Sequence, residues 1–145
     1  YIEEAFLAYK TERYNIKGKD VVAGNCKYYL NDLSFKNFLY PGFAYGVGYL
    51  LENAVYLELR RLGYIVYTGS FRDKEVDFVA MKDDRVIYLQ ATYMLETAQT
   101  MEREYAPLLT IGDNYEKYVV SMDEVQFPSN EGVRHIQAWN LKEIL

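Results

Sequence analysis

Cysteine, histidine and proline are scarce in this chain of 145 residues, and each scarcity closes off a class of protein. The single cysteine, Cys26, excludes a disulfide framework and a Cys-rich zinc site. The single histidine, His135, excludes His-clustered metal centres and those Ser-His hydrolases that use more than one imidazole. No apolar run approaches the ~18 residues of a transmembrane helix, and Tyr1-Ile2-Glu3-Glu4 does not open a signal peptide. These absences point to a cytoplasmic protein with no membrane partner. No Gly-x-x-x-x-Gly-Lys-Ser/Thr loop occurs, so ATP is not bound here by that route. There is no internal repeat or low-complexity segment. The first residue is Tyr rather than Met, as expected of a chain cut from a longer one.

What is present is half hydrophobic and about a quarter charged, enough for one ordinary globular domain or a domain with a fragment of its neighbour. The charge is uneven. Residues 1–44 carry 6 basic and 5 acidic side chains, whereas residues 45–145 carry 10 and 16. An acidic C-terminal part disfavours unaided, nonspecific DNA binding, because phosphate contacts dominate that affinity. The 16 tyrosines are scattered and fit strand surfaces and core edges.

Residues 2–9 read as the end of a helix. Strand-like runs Glu12 to Ile16 and Lys27 to Leu30, with Lys17-Gly18-Lys19-Asp20 and Gly24-Asn25 between them, predict an antiparallel hairpin with a basic tip. Asn31 to Ser34 can cap a short turn through Phe38, and Pro41, Gly42 and Gly46 mark the best boundary. This divides the chain into residues 1–44 and residues 45–145. From Gly48 to Leu62 apolar residues recur at helical spacing, ended by Gly63. Strands follow over residues 64–67, 74–81 and 85–92. A helix over residues 95–105, strands over 118–121 and 136–139, and a short helix from Leu141, capped by Asn140, complete the order. The fold class is α/β with a mixed sheet flanked by helices.

A tight turn at Asp83-Asp84 fixes the register of one hairpin. Lys82 then faces Arg85, Asp77 faces Gln90 and Glu75 faces Thr92. Alternation puts Asp77, Glu75, Gln90 and Thr92 on one face, and Val76, Phe78, Ile87, Leu89 and Ala91 on the other, against a helix. Directly opposed Cβ atoms lie about 4.5–5.5 Å apart, close enough for a carboxylate and an amide oxygen to share a hard cation.

Glu52 on the first long helix, Glu75-Val76-Asp77-Phe78 on one strand and Tyr88-Leu89-Gln90-Ala91-Thr92 on the next resemble the PD-(D/E)XK nuclease-like, or restriction-endonuclease-like, core. Leu51-Glu52-Asn53, Pro107-Leu108-Leu109 and Asp113-Asn114-Tyr115 extend the likeness to a family of prokaryotic AAA-type ATPases. In that family a nuclease-like domain of unknown function closes the chain, after an ATPase module and a winged helix. Arg13 to Lys19 and Tyr28 to Asp32 are similar to the end of that winged helix, so the resemblance covers nearly the whole chain. It implies that Glu52, Asp77 and Gln90 hold Mg²⁺ or Mn²⁺, with DNA or RNA as substrate and metal-assisted phosphodiester cleavage as the chemistry. It also implies an upstream ATPase module as partner. Gln90 stands where the motif has a second acid. Thr92 stands where it has a lysine, and a threonine supplies no positive charge to the transition state. Lys74 alternates to the opposite face; Arg103 is the remaining cationic candidate.

Each residue also has a plainer reading. Asp77 and Gln90 fit a hydrogen-bonded pair in a solvated groove, Glu52 a salt-bridged rim residue, and Glu75 a solvated side chain. Lys17-Gly18-Lys19 fits a polar hairpin tip, His135 an ordinary strand residue and Cys26 an inert packed thiol. Two functions therefore stand: a nuclease-like domain with a degenerate site, or a module for protein contact or homo-oligomer assembly, since tyrosine is enriched at interfaces. A small-molecule enzyme has no nucleophile–base pair to support it.

Overall fold

The computed structural model describes residues 3–42 and 46–145. The first hairpin pairs Ala8–Asn15 (β1) with Asp20–Leu30 (β2). The expected helix end over residues 2–9 is not formed: the described residues 3–7 are turn and bend, and Ala8 enters the sheet opposite Leu30. Pairing with β2 satisfies backbone groups that so short a helix would leave open. The short helix Ser34–Leu39 (α1) follows, and the expected boundary between residues 44 and 45 lies outside the described residues.

Val47–Arg61 (α2) leads into Ile65–Phe71 (β3), Lys74–Lys82 (β4) and Arg85–Ala91 (β5). Ala98–Leu109 (α3), Glu116–Ser121 (β6) and Val133–Gln137 (β7) complete the order. A 3-10 turn, Ala138–Glu143, closes the chain in place of the expected Asn140-capped helix; Asn140 instead donates to Gln137. Helix α2 ends as its glycine predicts. Gly63 takes φ 88°, its N–H bonds the Arg60 carbonyl, and the Tyr64 N–H bonds the Leu59 carbonyl, which is the Schellman arrangement. Helix α3 starts later than expected, where the Thr97 hydroxyl accepts the Thr100 N–H at 3.0 Å. It also continues through Pro107 rather than stopping at Tyr105. Burial of Tyr105 and Leu108 against the sheet outweighs the one helical hydrogen bond that proline removes.

All seven strands form one mixed sheet in the order β2-β1-β3-β4-β5-β6-β7. Strand β1 runs parallel to β3, so the hairpin expected as the end of a winged helix extends the central sheet. Pairs β5–β6 and β6–β7 are also parallel, and β3, β4 and β5 form an antiparallel meander. Among the described residues no helix is long and apolar enough to cross a membrane.

Two apolar layers cover the two faces. Leu51, Val55, Tyr56 and Leu59 of α2 pack on Phe78, Ala80, Ile87 and Leu89. Tyr105 and Leu108 of α3 pack on Val76, Val79 and Tyr88 across the sheet. The Lys82–Arg85 and Phe78–Leu89 pairs show the register expected from the Asp83-Asp84 turn. Alternation breaks at one place. Tyr67 pairs with Val79 but Gly69 with Val76, so Asp77 and Phe78 both stand opposite Thr68. This is a β-bulge, and it puts Val76 on the α3 side rather than beside Phe78.

Gly69 lies at the bulge because nothing larger fits. A Cβ there would meet Val79 Cγ2 at 2.8 Å, and Val76 Cβ and Ile16 Cδ1 at 3.0 Å. Gly69→Ala is expected to destabilise the fold by about 1–3 kcal/mol through overpacking, measured by denaturant unfolding.

Candidate functional site

Helix α2 grips the edge strand β2 through two adjacent residues. The fully buried Asn53 accepts the Leu30 N–H at 2.8 Å and donates to the Leu30 carbonyl at 2.9 Å, as a neighbouring strand would. The Tyr29 ring stacks on Tyr56 with centroids 4.2 Å apart, and its hydroxyl donates to Glu52 Oε1 at 2.7 Å. Lys27, two residues before Tyr29, shares its face of β2. Its ammonium lies 2.9 Å from Glu52 Oε1, 2.9 Å from Glu75 Oε1 and 3.4 Å from Asp77 Oδ1. One cation from the hairpin therefore joins three carboxylates from α2 and β4. Glu75, expected to be merely solvated, also pairs with Arg13 of β1.

The bulge aims Asp77 into this cluster. With Val76 turned toward α3, Asp77 follows Phe78 to the α2 side and meets Lys27. Its second oxygen accepts the Ala91 N–H at 3.0 Å. Gln90 neighbours Asp77 but does not share its face as expected: it alternates with Leu89 and Ala91 of the α2 layer to the α3 side, and its amide oxygen accepts the Asp77 backbone N–H at 3.2 Å. That bond holds the bulge where the β4–β5 ladder stops at Phe78–Leu89. Thr92 is buried just past β5, with its N–H on the Val120 carbonyl.

Charge in the cluster does not balance. Among the described residues Glu52, Glu75 and Asp77 form ion pairs with Lys27 and Arg13, three carboxylates to two cations. Burial, reinforced by the Glu52 carboxylate, pushes the Asp77 carboxyl up to about 7, while Lys27 and the Ala91 N–H pull the other way. For Lys27 burial opposes the charge, but Asp77 and Glu52, with hydrogen bonds to Glu75 and Glu52, hold the ammonium above its usual range. Burial and the Glu52 charge raise the Tyr29 hydroxyl, keeping it a donor. Burial is the larger reason that Asp77 holds its proton, with the Glu52 charge adding to it, whereas Lys27 keeps its charge against burial because the carboxylates around it attract it.

The remaining candidates separate from this cluster. Arg103 points outward and binds the buried Glu104 of its own helix at 2.7 Å. Lys74 lines a groove beside α3, on the face opposite Glu75. The hairpin tip is held by Asn15, whose side-chain oxygen accepts the Lys17 and Gly18 N–H groups. Half-buried Cys26 lies 3.7 Å from the Gly24 carbonyl. His135 is buried in a network: Nδ1 accepts the Phe127 N–H, and Nε2 lies 2.8 Å from Ser121 Oγ, which bonds Asp123. With Nδ1 an acceptor, Nε2 carries the proton and cannot act as a base toward Ser121. Burial lowers the His135 pKa, against the pull of Asp123.

Lys27, Tyr29 and Asn53 were not among the sequence candidates. The two-residue spacing of Lys27 and Tyr29 was a readable sign that they share a face. What joined them to Glu52 is a strand pairing between distant segments, which spacing does not encode.

Glu52 and Asp77 suit a hard divalent cation, because their oxygens already converge on one ammonium and both are carboxylates. Gln90 keeps one lone pair beyond its bond to Asp77. Among the described residues no three His, Cys, Asp or Glu side chains are gathered in a metal-holding group.

In comparisons with known proteins, no family model and no solved structure matches the chain. An uncharacterized protein of Haemophilus influenzae is 36% identical over 120 residues, which is 83% of this chain. The chain spans 29% of the length of that relative.

The raised Asp77 pKa has a stability consequence. Between an unfolded value of about 3.9 and the folded one, the folded chain binds more protons, so stability falls as pH rises. His135, neutral when folded, contributes with the opposite sign. Subtracting the unfolding curve of Asp77→Asn from that of the parent removes the His135 contribution. The parent should lose stability relative to the variant between about pH 4 and pH 7; a pH-independent difference would contradict this account of Asp77.

Proposed function

We propose that this chain is a nuclease-like domain that holds a divalent cation at Glu52, Asp77 and Gln90, with nucleic acid as its substrate. On this reading α2 to β6 form a restriction-endonuclease-like core, and Lys27 supplies the positive charge that Thr92 lacks. The observation that supports it is the convergence of Glu52, Asp77 and an ammonium within 3.4 Å from three separate elements. Mg²⁺ or Mn²⁺, when bound, would activate water and offset charge on a scissile phosphate. The protein's own part is to orient: Asn53 and Tyr29 fix β2, the bulge aims Asp77, and Gln90 holds the bulge. Beside an anionic substrate the Lys27 ammonium stabilises negative charge on phosphate oxygens. The acidic chain gains affinity for DNA or RNA from the ATPase module of an AAA-type polypeptide. The match to under a third of a longer relative is compatible with that arrangement.

A second reading has its own support. Lys27 already engages all three carboxylates, as an internal counter-ion would in a fold that has lost chemistry. The exposed Phe38 of α1 and Tyr40 just after it then belong to a surface for protein contact or assembly.

Calorimetric titration with Mn²⁺, with melting curves to verify folding, separates the two. The nuclease-like reading expects binding by the parent and its loss in folded Asp77→Ala. A folded parent that takes up no Mn²⁺, alone or with Lys27 replaced, leaves the interaction module as the better account.

A further inference from the structure

The Lys27 ammonium sits where Glu52 Oε1 and Asp77 Oδ1 converge, 2.9 and 3.4 Å away. Cation–oxygen distances for Mg²⁺ are about 2.0–2.1 Å, so ligation by those same two oxygens requires the ammonium to leave. Its exit is already built. Glu75 Oε1 holds the same nitrogen at 2.9 Å, and Glu75 is 38% exposed against 17% for Glu52 and 12% for Asp77. Movement toward Glu75 is therefore movement outward, by rotation of a flexible four-carbon stem. The backbone of β2 has no need to move, because the Asn53–Leu30 bonds and the Tyr29–Tyr56 stack anchor it without Lys27 or the Glu52 carboxylate.

We infer that Lys27 is an exchangeable counter-ion: it neutralises Glu52 and Asp77 until these ligate a divalent cation, and then swings onto Glu75. The inference rests on the divalent-cation reading above and adds how that site is controlled. The charges support it. With Glu52 and Asp77 neutralised by a divalent ion, Glu75 faces both Lys27 and Arg13, and one positive charge is left over at the rim. An anionic substrate would meet that charge, so the exchange converts a closed ion cluster into a cation site beside a phosphate-attracting rim.

The test is Mn²⁺ titration of the parent, Lys27→Met and Lys27→Gln, each shown to be folded by melting. Removing the competitor should tighten Mn²⁺ binding by about tenfold or more, within the usual range of coupling between two ligands of one site. Binding by the variants alone, with none in the parent, overturns the exchange, because Lys27 then blocks the site rather than leaving it. Equal or weaker binding in the variants overturns the exchange and leaves the cation site standing. No binding by any folded form overturns both. A measurement on the unaltered chain guards against misfolded variants: the NMR signal of Lys27 Cε is followed as Mg²⁺ is added. It should shift in step with saturation, and a signal that stays fixed while Mg²⁺ binds rules the exchange out.

Discussion

One ammonium shared by three carboxylates is the interaction on which this site depends. Lys27 belongs to the edge of the sheet, Glu52 to the helix above it, and Glu75 and Asp77 to its centre. Coulomb attraction alone would not place them, since a flexible lysine is costly to order and half-buried charges lose hydration. Placement comes from neutral contacts around the charges. The Asn53–Leu30 pair and the Tyr29–Tyr56 stack hold β2 against α2 whether or not Lys27 is charged. The cluster is thus a charged device mounted on an uncharged frame, which is how three carboxylates can stand around one ammonium without opening.

The same division explains the bulge. A regular β4 would place Asp77 and Phe78 on opposite faces, and Phe78 is fixed by the core under α2. One extra residue opposite Thr68 lets Phe78 stay in that core while Asp77 reaches the same side. The irregularity leaves a backbone N–H at Asp77 without a ladder partner, and the Gln90 side chain accepts it. Gly69 provides the space on the facing strand. Asp77, Gln90 and Gly69 thus form one arrangement, in which each departure from regular structure is answered by a neighbour.

The sequence makes some of this plain and hides the rest for physical reasons. Periodicity marked α2, the order of strands β3 to β7, and the β4–β5 register, because amphipathic spacing and a tight Asp-Asp turn act locally. The turn even shows its strain, with Asp83 at φ 51°. The bulge was invisible, since alternation of Glu75, Asp77 and Phe78 looks regular until the facing strand is known. Lys27 was invisible for a second reason. Its hairpin read as the end of another module, and its place in the sheet comes from parallel pairing of β1 with β3, between segments some fifty residues apart. Helix α3 passed through Pro107 because burial of Leu108, a tertiary effect, outweighed a local signal.

The most direct test of the account is the difference density of crystals grown with Mn²⁺, read at the anomalous edge of manganese. The account predicts a peak between the Glu52 and Asp77 carboxylates, with the Lys27 side chain withdrawn to Glu75. No peak, with Lys27 still bridging Glu52 and Asp77 at saturating Mn²⁺, would contradict it.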